Sequence, residues 1–191
     1  MISKKEIRQM YRIKRDQLGS VGRARLSAKI GEQVWLFLSG NPEIEHIHIF
    51  LPIAKLQEID TFPIIIKLQD QGKNIYTSVT DTFNGQMKTV KLTAGQQFDL
   101  DDYGIPVPVV KEEVVNSLLH VVFLPLLAYD LNGHRIGYGK GMYDRFVAKL
   151  PLKVLKIGLS FFPPENSIPS EKHDVPLDLC INPEGIVKFK Q

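Results

Sequence analysis

In Gly137-Tyr138-Gly139-Lys140-Gly141 three glycines alternate with a tyrosine and a lysine. The stretch lies between an apolar run at 121–127 and a helix-like segment at 143–150, so the chain must pass from strand to helix there on a nearly bare backbone. Alternating glycines let peptide N–H groups approach an anion closely. A helix opening just beyond them adds the positive end of its dipole, worth about 0.3–1 kcal/mol at an exposed site. Lys140 brings a mobile positive charge and Arg135 a planar fork suited to phosphate oxygens. Asp144 supplies a carboxylate where a magnesium ion can bridge protein and phosphate. The pattern reads as a polyphosphate site. It is neither common nucleotide fingerprint: no hydroxyl follows Lys140-Gly141, as a P-loop requires, and the sixth position counted from Gly137 is Met142, where a Rossmann loop has glycine. The bland reading, a tight turn with a solvated lysine, leaves Arg135, Tyr138, Lys140 and Asp144 unexplained and ranks below the phosphate reading.

The flanking pattern predicts an α/β fold. Ser3 and Glu6 form a capping box for a helix to about residue 18, ended by Gly19. Ile7, Met10, Tyr11 and Leu18 give it an apolar stripe, and Lys4, Arg8, Arg12 and Arg15 a separate basic one. On spacing alone that basic stripe is a solvated face. A second helix is expected over 21–38, and a short one from Asp60 or Thr61 to about 71, with Pro63 in its first turn. Strands are expected at 44–51, 74–79, 86–92 (after an Asn84-Gly85 turn), 118–127 and 154–159, with a final pair near 177–181 and 185–189. Residues 105–108, with two prolines, are extended. Strands alternating with helices imply a central, mostly parallel sheet with helices on both faces. Ligands then bind beyond the carboxyl ends of strands, which puts the residues after Phe50 and after Leu127 on one rim.

A chain of 191 residues can bury one sizeable core, and no repeat or linker divides it, so one domain over 1–191 is expected. With 43% apolar and 24% charged residues the composition is that of an ordinary globular protein. A net charge of +3 suits a small anionic substrate without demanding nucleic acid. The single cysteine, Cys180, lies in an apolar strand pattern and reads as an inert core thiol in a reducing compartment. No signal-like or membrane-length apolar run is present, which makes the cytoplasm the expected location.

Several segments together resemble the 5-formyltetrahydrofolate cyclo-ligase family, also called methenyltetrahydrofolate synthetases. Lys4-Lys5-Glu6-Ile7-Arg8 is similar to its K-x-x-[LI]-R element, and Phe50-Leu51-Pro52 with Glu58-Ile59-Asp60-Thr61 to its strand end and E-[IV]-[DE]-T segment. Gly104-Ile105-Pro106 matches a short signature. Leu124-Pro125, Leu127-Ala128-Tyr129-Asp130, Gly133, Arg135 and Gly137 through Asp144 cover the main motif. Glu171-Lys172-His173-Asp174-Val175-Pro176-Leu177-Asp178 resembles the C-terminal element. Two positions depart: Leu126 stands where the family usually has glycine, and Met142 where many members have tyrosine, which bears on pocket shape.

The resemblance implies a single three-layer α/β domain, similar to the sugar-phosphate isomerase and CoA-transferase-like class. It implies an ATP- and Mg2+-dependent ligase turning 5-formyltetrahydrofolate, with or without a polyglutamate tail, into 5,10-methenyltetrahydrofolate. The enzyme is expected to be a monomer that binds neither nucleic acid nor membrane. It implies ATP binding by Lys4, Arg8, Arg135, Gly137, Tyr138, Gly139, Lys140, Gly141 and Tyr143, with Lys140 and Arg135 catalytic. Folate would meet Phe50, Leu51, Glu58, Tyr103, Tyr138 and Tyr143, and Mg2+ would meet Asp144 and Asp174. For Asp174 a loop-capping aspartate is an equally weighted reading. Arg12 and Arg15 stay solvated in this reading, Asp178 structural, and Phe161 and Phe162 close the pocket. Two alternatives stand beside it: a related ATP-dependent enzyme acting on another formyl or carboxyl compound, and, ranked lower, a noncatalytic RNA-binding module using the Lys4–Arg15 stripe.

Overall fold

The computed structural model describes residues 2–81, 86–101 and 104–189. Its helices are α1 (Lys4–Gln17), α2 (Gly19–Ser39), α3 (Phe62–Asp70) and α4 (Met142–Val147). The strands run β1 (His46–His48), β2 (Asn74–Thr80), β3 (Met87–Leu92), β4 (Phe98–Leu100), β5 (Pro106–Pro108) and β6 (Glu112–Glu113) in the first half of the chain. They continue with β7 (Val121–Pro125), β8 (Ala128–Tyr129), β9 (Arg135–Ile136), β10 (Leu155–Leu159), β11 (Leu179–Asn182) and β12 (Gly185–Lys188). Eight of them form one sheet in the order β12-β11-β10-β7-β1-β2-β3-β6. The five inner strands from β11 to β2 are parallel, and β12, β3 and β6 add to the edges antiparallel.

Two-sided burial explains the layers. Every residue of β7 is buried, as a strand covered on both faces requires. Its alternate side chains enter opposite cores: Val121 and Phe123 pack with Ile30, Val34 and Phe37 of α2 and Ile64, Ile65 and Leu68 of α3. Val122 and Leu124 pack with Phe146 and Val147 of α4 and with Cys180, the expected core thiol. A third cluster joins Ile7 and Tyr11 of α1 to Leu127, Ala128 and Ile136. It lays α1 along the antiparallel β8–β9 ribbon, just past the carboxyl end of β7.

The capping box of α1 forms as expected, with the Ser3 hydroxyl accepting from the Glu6 N–H. Gly19 does not open a loop. Its φ of +62° turns the chain directly into α2, which therefore starts earlier than expected. The strand expected over 44–51 pairs as β1 only at His46–His48. Beyond it Ile49, Phe50 and Leu51 stay buried, and the Thr61 hydroxyl donates to the Phe50 carbonyl (2.7 Å) instead of capping α3. The helix after the glycines is only six residues long, a 3-10 turn at Asn116–Leu118 takes the start of the strand expected from 118, and the β4–β5 and β8–β9 ribbons and β6 are additions to the expected pattern. The Asn84-Gly85 turn lies outside the described residues.

His48 is fully buried in β1. Its Nε2 shares a 2.6 Å hydrogen bond with the Ser78 hydroxyl, and its ring packs on Phe146. Burial holds the imidazole neutral and pushes its pKa down to about 3. The unfolded chain takes up this proton near the ordinary histidine value, well above the folded pKa, so stability is lost as pH falls through that window. From about pH 7 to about pH 5 the wild type is expected to lose about 2 kcal/mol more unfolding free energy than His48→Gln. Urea midpoints at the two pH values test this; parallel losses in both proteins would show that His48 is not the group responsible.

Candidate active site

At the carboxyl ends of β1, β2 and β7 opens a cavity of about 590 Å³, within the size range of small-molecule sites. Its walls come from distant parts of the chain: Lys4, Arg8 and Arg12 from α1; Phe50, Leu51, Lys55 and Glu58 from the segment after β1; Thr77, Ser78 and Thr80 from β2. Arg135 through Asp144 form a further wall, and Glu171, His173 and Asp174 close one end. All the expected site residues within the described regions therefore line one space; Tyr103 lies outside those regions.

The glycine stretch is aimed by the turn before it. The buried Asp130 carboxylate accepts the N–H groups of Asn132, His134 and Ile168, and its Oδ2 meets His134 Nδ1 at 3.0 Å. A buried acid satisfied on both oxygens fixes the reversal that sends β9 back along β8. Gly133 belongs to that turn: with φ +81°, a Cβ there would lie 2.9 Å from the Leu177 carbonyl oxygen. Gly139 (φ +94°) and Gly141 (φ +60°) adopt the left-handed backbone that side chains resist. Gly137 differs. Its φ is outside that region, and among the described residues an added Cβ meets no atom within 4 Å beyond its chain neighbours. The fold itself does not demand glycine at 137, whereas a ligand pressed against that backbone would.

The charges at this end are paired across elements. Lys4 Nζ contacts Asp174 Oδ2 at 2.6 Å and Glu171 Oε1 at 3.0 Å. Burial works against the Lys4 ammonium, but its hydrogen bonds to Asp174 and Glu171 and their charges outweigh it, and its pKa rises. Burial likewise pushes Asp174 up, while Lys4 and the Glu171 N–H bring it below the usual aspartate value. Asp174 thus caps its own loop, accepting the Glu171 N–H at 2.8 Å, and also holds α1. Arg8 Nε donates to the Gly137 carbonyl (3.0 Å), tying α1 to the glycines. Arg135 is buried, donating to Asp144 Oδ1 (2.6 Å) and to the Val175 carbonyl. Burial lowers its pKa against the opposing pull of Asp144 and Asp174. Its fork therefore serves protein acceptors first. Lys140 is exposed at the cavity edge.

The other end is more apolar. Phe50 and Leu51 form its floor beside Glu58, whose Oε2 accepts the Ile53 N–H at 2.8 Å. Burial raises the Glu58 pKa, opposed by the Ile53 N–H, the Tyr138 hydroxyl and the charge of Arg15. Burial and the charge of Glu58 together push the Tyr138 and Tyr143 phenols well above the ordinary tyrosine value.

Three expectations change. Arg15 is not solvated: it is 2% exposed, and its guanidinium donates to the Tyr138 hydroxyl (2.7 Å), the Leu56 carbonyl (3.1 Å) and the Leu126 carbonyl (2.5 Å). Lys4, Arg8 and Arg15 turn toward the glycines and the interior because Ile7 and Tyr11 dock the adjoining face of α1, while Arg12 stays exposed as expected. Phe161 and Phe162 do not close the pocket. Phe161 is buried in the core under α2 and α3, and Phe162 packs edge-on against Tyr11 at 5.3 Å. Leu126 is buried against Gly158, whereas Met142 lines the cavity, so only the second departure bears on pocket shape. Asp178 is structural as expected, accepting the Lys156 N–H and pairing with its ammonium.

The glycines separate by reason. Gly139→Ala is expected to cost about 1–2 kcal/mol of stability through its backbone conformation, and its Cβ would press on Arg8 at 3.2 Å. Gly137→Ala is expected to stay within about 1 kcal/mol of wild type. Denaturant midpoints decide, and equal losses at the two positions would refute the distinction.

Comparison with known proteins points to one family. The model of the 5-formyltetrahydrofolate cyclo-ligase family matches residues 1–183. The 5-formyltetrahydrofolate cyclo-ligase of Mycoplasma genitalium is 28% identical over 182 residues, covering 95% of this chain and 98% of its own. That of Mus musculus is 30% identical over 148 residues, covering 70% and 71%. The NMR structure of Aquifex aeolicus 5,10-methenyltetrahydrofolate synthetase aligns with a TM-score of 0.81 at 25% identity, over 98% of this chain and 93% of that one. The match runs through every wall of the cavity, from Lys4 to Asp174, and the chain belongs to the 5-formyltetrahydrofolate cyclo-ligase family.

Proposed function

We propose that this enzyme converts 5-formyltetrahydrofolate and ATP to 5,10-methenyltetrahydrofolate, ADP and phosphate. The observation that carries the reading is the convergence of α1 cations, the glycine stretch and Glu58 on one cavity. A formamide carbon is a poor electrophile, and its oxygen a poor leaving group. Transfer of the γ-phosphoryl group to the formyl oxygen releases ADP and leaves an iminium-type phosphate. N10 then attacks the formyl carbon, the C–O bond breaks as phosphate departs with its electron pair, and the N10 proton passes to the released phosphate. Holding N10 beside that carbon makes closure unimolecular, worth roughly 7–11 kcal/mol.

In this reading Gly137, Gly139 and Gly141 cradle the triphosphate, with Lys4 and Arg8 along one side and Tyr138 and Tyr143 flanking it toward the folate. Lys140 neutralises charge on the transferring group. Arg135 adds positive potential to the same oxygens and orients Asp144 through their 2.6 Å contact. Phe50 and Leu51 line the ring slot, while Glu58 accepts ring N–H donors.

The acids fit a magnesium ion delivered with the nucleotide. Among the described residues no three His, Cys, Asp or Glu side chains form a ligand set, and magnesium commonly takes one or two carboxylates with phosphate oxygens and water. Asp144 Oδ1 is engaged by Arg135 and Asp174 Oδ2 by Lys4; Asp144 Oδ2 and Asp174 Oδ1, the latter 3.9 Å from His173 Nε2, would hold the ion. When bound, it would neutralise phosphate charge. Arg12 and Lys55, exposed at the cavity edge, suit the carboxylates of a glutamate tail. The expected site residues within the described regions meet in one cavity of a single chain, which supports a monomer as the working unit. Among the described residues no helix is long and apolar enough to cross a membrane; the single cysteine, buried in the core, suits a reducing compartment such as the cytoplasm. An RNA-binding reading loses its surface, since Arg15 is buried and Lys4 is paired.

Absorbance of the methenyl product, followed after mixing protein with 5-formyltetrahydrofolate, ATP and Mg2+, tests the reading. No product where a known cyclo-ligase turns over would reject it. Lys140→Ala is expected to lower kcat about 10²–10³-fold; near-normal turnover would remove Lys140 from the chemistry. Gly137→Ala is expected to raise the KM for ATP and leave that for folate in place, and the reverse pattern would move the nucleotide elsewhere.

A further inference from the structure

Arg15 is a buried cation with no carboxylate, among the described residues, within hydrogen-bonding distance. Its three acceptors are two carbonyls and a phenol, and its Nε, also buried, has no partner among the described residues. Burying a guanidinium this way is costly, and its position over the Tyr138 and Phe161 rings, at 5.8 and 5.6 Å, offsets only part of that cost. What it secures is the corner where the folate end of the cavity is made. The Leu56 carbonyl belongs to the turn leading to Glu58, and Gln57 in that turn takes a left-handed φ of +52°. A second tie, from Gln57 Nε2 to Asp16 at 3.1 Å, holds the same turn to α1.

The hydrogen-bond directions follow from donor chemistry. A guanidinium only donates, so the Tyr138 oxygen must accept from Arg15. The phenol hydrogen is then free for the neighbouring Glu58 carboxylate, which also accepts the Ile53 N–H. The groups facing Glu58 are thus Tyr138 from the glycine stretch, Tyr143 from α4, Arg15 from α1 and the Ile53 N–H from its own loop. Arg8, Arg12 and Lys55 line the same cavity. Arg15 supplies positive charge beside Glu58 and fixes the orientation of the phenol.

We propose that Arg15 is a positioning residue for the folate end of the site, a role that rests on the function proposed above. It holds Tyr138 as a donor to Glu58 and keeps Glu58 ionised, so the carboxylate's remaining lone pairs face N–H donors of the substrate ring. Arg15 never touches substrate in this scheme; it acts on Glu58, by its charge and through the Tyr138 hydroxyl.

The test is the pH dependence of kcat/KM for 5-formyltetrahydrofolate in Arg15→Met, with Arg15→Lys as a second variant and a urea midpoint for each. A wild type without activity would sink the function itself and is thereby told apart from failure of this inference. With an active wild type, Arg15→Met is expected to move the acid limb upward by about one pH unit or more, the effect of removing one nearby opposite charge from a carboxylate. The KM for folate should rise about tenfold or more near neutral pH, with the KM for ATP unmoved. Arg15→Lys, which keeps the charge but not the fork, should hold the acid limb and still raise the folate KM. In a Glu58→Gln background Arg15→Lys should have no further effect on folate KM. A folded Arg15→Met with an unshifted limb overturns the proposal. If that variant does not fold, Arg15→Lys decides: equal losses toward folate and ATP, or an undiminished effect in the Glu58→Gln background, overturn it.

Discussion

The site depends on how α1 is docked. Ile7 and Tyr11 bury one face of this helix against Leu127, Ala128 and Ile136 at the carboxyl end of the sheet. Side chains three and four positions apart share a helix face, so anchoring that face sets the direction of the basic stripe beside it. Lys4 and Arg8 are carried over the glycine stretch and Arg15 into the interior. Cations brought out of water must find acceptors. Lys4 finds Asp174 and Glu171, Arg8 the Gly137 carbonyl, and Arg15 two carbonyls and a phenol. The helix would otherwise be an amphipathic surface segment; docked, it becomes a wall of the cavity.

The two ends of the cavity differ physically. At the Lys4 end, positive groups and carboxylates are matched one against another, so an incoming phosphate can exchange partners with an existing ion pair. At the Glu58 end, burial raises the carboxyl pKa and both tyrosine phenols, and the charged form of Glu58 depends on Arg15, Tyr138 and the Ile53 N–H. A polyanion suits the first environment and a flat ring with N–H donors the second. Residues 137–141 join the two, because Gly137 meets Arg8 while Tyr138 meets Arg15 and Glu58.

Much of the fold was legible because the signals were local. The Ser3–Glu6 box, the Pro63 helix start and the apolar run of β7 each report the chain's own backbone preference or burial. The ribbon strands β4, β8 and β9 escaped, since pieces of two or three residues carry too little periodicity, while β5 was legible only as an extended stretch through its two prolines. Asp130 stood in the motif with no role assigned, and only its three accepted N–H groups reveal it as the anchor of the glycine turn. Arg15 escaped for a related reason: along α1 it has the same spacing as Arg12, yet one is buried and the other exposed.

The sequence by itself determined the alternating α/β order, the phosphate-friendly glycines and the cast of charged residues, because backbone conformation and side-chain chemistry are written locally. Which cations meet which acids was decided only by tertiary structure. Lys4 and Asp174 lie 170 positions apart, and Arg15 and Tyr138 123. Pairing at such separations is set by how buried faces stack the helices against the sheet, and no local pattern encodes it.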